Sequence, residues 1–178
     1  MGPSSAAIVF QLRFRRKSST AEHERLTQAV LSRAGNPEHG RQLFFNAEKS
    51  LCPRCHRLGN QGERIGPELT GVGSRFSRIH LVESILEPSR TIAPSFGTVV
   101  VTLKNGKSLS GVKVTETEKL LTLADNQGQK HDLPKSDIEE QQPSPLSSMP
   151  EGLEKRFTEA EFIDLIAFLV SQQEGRGP

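Results

Sequence analysis

Apolar residues follow helical spacing in the first half of the chain and near its end, and they alternate with polar residues in between. A residue that commonly caps helices precedes each helical stretch, and Pro37 fits the first position of the second helix. The pattern predicts helices over 21–34, from residue 37 toward the cysteines, over 78–87, and from residue 159 onward. The predicted caps are Thr20, Asn36, Ser77 and Thr158.

Between residues 98 and 140 the period changes to alternation, which is typical of β-strands. The Asn105-Gly106 pair favours a tight hairpin turn between two such stretches, and a second turn is expected at 125–128. We predict a compact antiparallel meander or small barrel of four strands, with a possible short fifth strand that begins at Ile138. The four strands are expected over 98–104, 108–115, 120–124 and 130–133.

Two segments rich in glycine or proline adjoin these elements. Six glycine or proline residues lie within 59–77, a density that predicts a loop wrapped closely around another part of the molecule. Pro143, Pro145 and Pro150 predict a rigid connector, which carries Met149, the one internal methionine of the chain.

Composition and charge narrow the classes of partner. Lys and Arg total 23 against 21 Asp and Glu, a net charge of +2, so no charge excess indicates nucleic acid as the partner. No stretch approaches the ~18 consecutive apolar residues of a membrane span, so we expect a soluble chain.

Residues 1–19 are interpreted as a disordered linker or expression remnant. Hydrophobic residues make up 34% of the chain, which leaves a thin core that another component must supplement.

The motif Cys52-Pro53-Arg54-Cys55-His56 carries the candidate chemistry. Cys-x-x-Cys-His is the attachment pattern of c-type haem, because two thiols must reach the two vinyl groups while the adjacent His binds the iron. Three alternatives remain. They are a zinc half-site, which would need two more histidines, a thioredoxin-type dithiol, which would sit in a βαβ unit, and a local disulfide. A covalent haem also supplies the missing apolar core.

Met149 is the candidate for the second axial ligand of the iron. It is the one internal thioether, and the proline-bounded loop could hold its sulfur rigidly. Gap-filling in a core is the more ordinary use of methionine. The rival ligands are His80, on the third predicted helix, and His131, in the β segment; an iron with an open sixth site is the remaining alternative.

Taken together, a helix, Cys52-x-x-Cys55-His56, Gly66-Pro67-x-Leu69-x-Gly71, a Met-containing loop and a final helix resemble the class I c-type cytochromes. The resemblance implies a mainly α cytochrome c fold. It further implies that the carbonyl of Pro67 accepts the proton of His56, and that Arg75 binds a haem propionate. Contacts of this kind orient a ligand histidine and raise its basicity.

A more specific resemblance links residues 84–94, the strands and residues 143–153 to the Planctomycete-type haem-binding domain, over roughly residues 36–172. We therefore expect the cytochrome c domain to comprise 36–97 and 141–174. A small antiparallel β subdomain over 98–140 would be inserted in it, and 20–35 would form an extra N-terminal helix. The expected class is α+β overall.

The leading functional hypothesis is a one-electron carrier rather than an enzyme, with one covalent haem c bound through Cys52, Cys55, His56 and Met149. His/Met ligation suits an acceptor that takes electrons from a dehydrogenase, either a partner or a fused domain, and passes them to a downstream protein. Haem attachment to free thiols predicts a periplasmic or otherwise exported location. The alternatives are a haem enzyme or gas sensor with an open sixth site, and an interaction module whose haem is structural.

Overall fold

The computed structural model describes residues 20–173, so the predicted linker at 1–19 lies outside the described part. Residues 174–178, which include the last residue of the predicted cytochrome c domain, also lie outside it. Residues 20–173 contain six α-helices. They are α1 over 20–32, α2 Pro37–Phe45, α3 Cys52–Cys55, α4 Val72–Arg75, α5 Arg78–Leu86 and α6 Glu159–Ser171. Short 3-10 helices occur at Pro94–Phe96, Lys135–Asp137 and Leu153–Arg156.

Three of the four predicted helix caps are confirmed. The Asn36 side chain accepts hydrogen bonds from the amides of Glu38 and His39, and Ser77 accepts one from the amide of His80. Thr158 forms the predicted capping box with Glu161, in which each side chain bonds the other residue's amide. The first helix differs, because residue 20 is itself helical and the helix ends at residue 32.

The helices pack around α6, which is buried along most of one side. Helix α2 crosses it so closely that a Cβ on Gly40 would clash with the carbonyl oxygen of Asp164. Helix α1, whose partner surface was not predicted, places Leu26 and Val30 in the same core. The buried residues that α6 contributes are Phe162, Ile163, Leu165, Ile166, Phe168 and Leu169.

Five antiparallel strands form one sheet in the order β4-β3-β2-β1-β5. The predicted hairpin turn is confirmed, with Gly106 at a φ of +82°, and Gly128 takes a φ of +78° in the second turn. The strand bounds are β1 Thr98–Leu103, β2 Ser108–Glu116, β3 Leu120–Ala124, β4 Lys130–Pro134 and β5 Ile138–Pro143.

The prediction of a mainly α cytochrome c fold with an inserted meander or barrel is wrong. The described part of the chain is α+β, with 40% of its residues in helix and 21% in strand, and its five-stranded sheet is open rather than closed. The sequence pattern underestimated β5 in particular, which is a full strand of mostly exposed polar residues. Backbone pairing with β1 holds it at the sheet edge, so no alternation of apolar residues reveals its length.

The sheet has a small core of its own and is joined to the helical part through a third cluster. Val101, Leu121 and Leu123 form the sheet core together with Leu133. A separate cluster contains Ile65 from the glycine-rich loop, with Val112 and Ala124 from the sheet and Cys55 packed against it. The sheet therefore reaches the cysteine motif. Within residues 20–173, no helix is both long and apolar enough to cross a membrane.

Candidate cofactor site at the cysteine motif

The backbone reverses its direction immediately before the motif, and the hydrogen bonds of Ser50 hold it in this conformation. Ser50 is fully buried; its hydroxyl donates to the carbonyl of Phe44 (2.7 Å) and accepts from the amide of Cys52 (3.2 Å). Leu51 then takes the left-handed conformation with a φ of 62°, the one non-glycine residue of the described part to do so. Helix α3 begins directly after this reversal and carries both cysteines within a single turn.

The glycine-rich loop runs alongside the motif and is bonded to it along its length. Its predicted close wrapping is present, and what it wraps is the backbone of the cysteine motif itself. Gly62 touches the carbonyl of His56, where a side chain would clash. Four backbone hydrogen bonds join the loop to the motif and to the residue after it. The amides of Ile65 (3.0 Å) and Gly66 (2.8 Å) both donate to the carbonyl of Cys55. The amide of Glu63 donates to the carbonyl of Pro53 (3.0 Å), and that of Leu69 donates to the carbonyl of Arg57 (2.8 Å).

His56 is held in one orientation and one tautomer. Its Nδ1 lies 2.8 Å from the carbonyl oxygen of Pro67, the contact that the resemblance implied. Because a carbonyl oxygen can only accept, Nδ1 carries the proton and the lone pair of the neutral ring lies on Nε2. Burial lowers the pKa of His56, an effect that the bond to Pro67 partly offsets. The ring is thus neutral near pH 7, the form that binds metals.

Gly66 lies flat against the imidazole of His56. A Cβ at this position would stand 2.8 Å from Cε1, 3.0 Å from Nδ1 and 3.3 Å from Nε2 of the ring. Only glycine fits such an approach without moving the ring. Sequence reasoning placed Gly66 in the motif but did not assign it this role, although a Gly-Pro pair beside a ligand histidine is the signal that could have done so.

Both cysteines are free thiols that remain protonated at neutral pH. Burial raises the pKa of Cys52 to about 11. Burial, followed by the nearby charge of Asp125, raises the pKa of Cys55. A reactive dithiol of the thioredoxin type needs the opposite shift, toward the thiolate.

The sheet covers one side of the motif. Cys55 packs against the cluster of Ile65, Val112 and Ala124. Gly128, in the turn between β3 and β4, lies against the carbonyl of Arg54, and Lys130 pairs with Glu63 at 2.9 Å. The predicted β segment is therefore part of the wall around the cysteines, a role that the alternation of its residues did not reveal.

The structure also places the two remaining predicted site residues. Met149 is partly buried and packs against the helical core, which Cys52 also contacts. The guanidinium of Arg75 donates to the carbonyls of Glu68 (2.7 Å) and Thr70 (3.2 Å), so it lies on the glycine-rich loop.

Each of the two rival histidine ligands already has a side-chain partner. Nε2 of His131 lies 2.8 Å from Oδ2 of Asp125, in the turn between β3 and β4. The ring of His80 stacks on Phe76, with the ring centroids 4.6 Å apart. The contact of His80 involves none of Cys52, Cys55 and His56, whereas the Asp125 that holds His131 also lies close enough to Cys55 to raise its pKa.

Within residues 20–173, no three His, Cys, Asp or Glu side chains come together in an arrangement that could hold a metal ion. In comparisons with known proteins, no family model matches the chain and no curated protein matches it. The interpretation of the site therefore depends on its own residues.

Proposed function

We propose that the chain is a one-electron carrier that binds a single covalent haem c through Cys52 and Cys55, with His56 and Met149 as axial ligands. The observation that carries the proposal is the bond of 2.8 Å from His56 Nδ1 to the Pro67 carbonyl, directly beside two free thiols. This bond leaves Nε2 of a neutral imidazole as the ligand atom.

The residues present fit such a group. The thiols lie on one turn of helix α3 and are not joined in a disulfide, so both carry the free sulfur that a thioether bond to a porphyrin vinyl group requires. Met149 offers a thioether on a loop that packs against the same core as Cys52. When bound, the haem iron supplies reversible one-electron chemistry, and His/Met ligation raises its reduction potential.

The protein's own contribution is orientation and exclusion of water. Pro67 and Gly66 fix the plane and the tautomer of His56 from two directions. Val112 and Ala124, both from the sheet, cover the side of Cys55, and Ile65 completes this cover. A site that is rigid and partly dry in both redox states needs little reorganisation when an electron moves, which favours fast transfer.

Two alternatives at the motif are less well supported. A thioredoxin-type dithiol is disfavoured because the pKa values of both thiols are raised rather than lowered. A zinc site of the usual kind uses four Cys or His ligands, and the described residues place no such set together. The haem enzyme or sensor with an open sixth site differs from our proposal only in the role of Met149.

The proposal extends to location and partners. Because haem attachment needs reduced thiols and a maturation system in an oxidising compartment, we propose that the protein is exported. A dehydrogenase, either a partner or a fused domain, is the proposed donor, and a second redox protein is the proposed acceptor. On its motif residues alone, we propose that the chain is a member of the Planctomycete-type haem-binding domains.

The test is to produce the chain with and without a cytochrome c maturation system. Haem that stays with the chain after denaturation, together with distinct oxidised and reduced absorption spectra, is the expected result. A variant with Cys52→Ala and Cys55→Ala is the control and should lose the covalent haem. A matured wild-type chain that carries no covalent haem, or one whose haem cannot be reversibly reduced, would contradict the proposal.

A further inference from the structure

The loop that carries Met149 is bonded to the turn after helix α5 by one hydrogen bond. The amide of Ser147 donates to the hydroxyl of Ser89 at 3.1 Å, across 58 positions of sequence. Among the described residues, this is the hydrogen bond that links the segment 145–149 to a distant part of the chain. It joins the polypeptide just before the sheet to the polypeptide just after it.

A second hydrogen bond connects Ser147 to the methionine. The amide of Met149 donates to the hydroxyl of Ser147 at 3.1 Å, so Ser89, Ser147 and Met149 form a short series of hydrogen bonds. A serine hydroxyl that accepts from the amide two residues later fixes a local turn. The conformation of the backbone at Met149 therefore depends on where Ser147 is held.

Ser89 is itself well placed to act as an anchor. It follows Pro88, which is buried, in a turn closed by a hydrogen bond from the amide of Arg90 to the carbonyl of Glu87 (3.0 Å). The turn continues from helix α5, which packs into the helical core through Ile85 and Leu86. The hydroxyl of Ser89 is thus presented by a rigid element rather than by a free loop.

We propose that Ser89 is a positioning residue for Met149, holding the ligand loop through Ser147; this inference rests on the proposed function. Met149 packs against the core on one side, while the bond to Ser89 fixes its loop on the other. Without that bond, the loop keeps its prolines but loses its hydrogen bond to the turn after helix α5. In the haem-loaded chain, the thioether of Met149 would then be easier to replace with another ligand.

The test uses the haem-loaded chain and imidazole as a competing ligand for the ferric iron. Loss of one neutral hydrogen bond corresponds to roughly a five-fold change in an equilibrium constant. Ser89→Ala is therefore expected to bind imidazole roughly five-fold more tightly and to weaken the far-red sulfur-to-iron band. Ser89→Thr retains the hydroxyl and should restore both properties.

The matched control is Ser84→Ala, which removes an exposed serine bond to the carbonyl of His80 on the same helix. It should leave the affinity for imidazole unchanged. In the haem-free chain, faster hydrogen exchange of the Ser147 amide in Ser89→Ala gives a second readout that does not involve haem.

Two failures can be told apart. A haem-loaded Ser89→Ala variant with wild-type affinity for imidazole, or an equal effect of Ser84→Ala, contradicts the role of Ser89 alone. A wild-type chain that takes up no covalent haem contradicts the proposed function, and with it this inference.

Discussion

Gly128, in the turn between β3 and β4, lies against the backbone of Arg54 in the cysteine motif. A Cβ on Gly128 would stand 2.5 Å from the carbonyl oxygen of Arg54, closer than real Cβ atoms come to other atoms. The tip of the sheet and the short helix that carries the cysteines are therefore in direct backbone contact. This contact makes the sheet part of the site, and it can be tested with single substitutions.

Gly128→Ala should destabilise the chain more than Gly106→Ala. Both glycines lie in hairpin turns, with φ values of +78° and +82°, so the backbone strain of an added Cβ is similar. Around Gly106 there is nothing within 4 Å of that Cβ, whereas at Gly128 it meets Arg54. The difference in the free energy of unfolding, measured with urea, should be about 1 to 3 kcal/mol.

A second readout connects this contact to the site. If the turn between β3 and β4 is pushed away from Arg54, Cys55 loses part of its cover, so its thiol in the haem-free chain should be alkylated faster in Gly128→Ala. Gly106→Ala should leave that rate unchanged. Equal unfolding energies and equal alkylation rates in the two variants would show that the sheet does not depend on contact with the motif.

Gly66→Ala should disturb the ligand histidine. The added Cβ would stand 2.8 Å from Cε1 of His56, so either the ring or the loop must move. We expect a loss of about 1 to 3 kcal/mol in the free energy of unfolding. We also expect a changed absorption spectrum of the haem-loaded chain, because the ring can no longer present Nε2 in the same direction.

The control for that variant is Gly97→Ala. Gly97 is exposed, and an added Cβ there meets its nearest neighbour, the carbonyl of Pro94, at an ordinary 3.6 Å. The free energy of unfolding of Gly97→Ala should stay within about 0.5 kcal/mol of the wild-type value. An unaltered spectrum in Gly66→Ala would mean that the imidazole of His56 does not lie against this glycine in the haem-loaded chain.

The sequence was informative where local physics decides the structure. Cap residues such as Asn36 and Thr158 set the starts of helices through their own side chains. The alternating apolar residues of β1 and β3 lie on the face of each strand that packs in the sheet core. The same reasoning fails for β5. This edge strand buries little surface and is held by backbone hydrogen bonds to β1. Such bonds do not require a particular pattern of side chains, so the sequence does not indicate the strand.

The site divides in a similar way. The spacing of Cys52, Cys55 and His56 is a local pattern, and the contact of His56 with Pro67 spans 11 positions within one loop. The contact of Gly128 with Arg54 joins elements that are distant in sequence. It arises from how the sheet docks on the helices, and a single sequence does not encode that docking in any periodic form.

The thiol of Cys52 should be protected from alkylation in the folded, haem-free chain. Its pKa is raised by burial from 9.0 to about 11, so at pH 9.0 about half of the thiol is ionised when the chain is unfolded and about 1% when it is folded. Alkylation by iodoacetamide should therefore be at least about 50-fold slower in the folded chain. A Cys55→Ser variant isolates the signal of Cys52.

The raised pKa also predicts how stability depends on pH. The folded state retains the proton of Cys52 up to a pH of about 11, while the unfolded state loses it near 9.0. The contribution to stability is therefore complete below pH 9.0 and is lost as the pH rises toward 11. Urea unfolding of the haem-free chain at several pH values measures this loss, and replacing Cys52 with Ala should remove it. If the free energy of unfolding falls equally with pH in the wild-type chain and in the Cys52→Ala variant, the thiol of Cys52 is not buried.

Met149→Ala should open the sixth coordination position of the iron. Met149 is the one internal methionine of the chain, and the rival His131 is bound to Asp125. Removal of the thioether should abolish the far-red sulfur-to-iron band and allow the reduced protein to bind carbon monoxide. Leu146→Ala is the matched control, because Leu146 lies in the same loop but is 60% exposed. It should keep the band and exclude carbon monoxide. If Met149→Ala retains the band, another group is the sixth ligand and the role of Met149 is wrong. If the wild-type chain already binds carbon monoxide, the sixth position is open and the chain is better described as a haem enzyme or sensor.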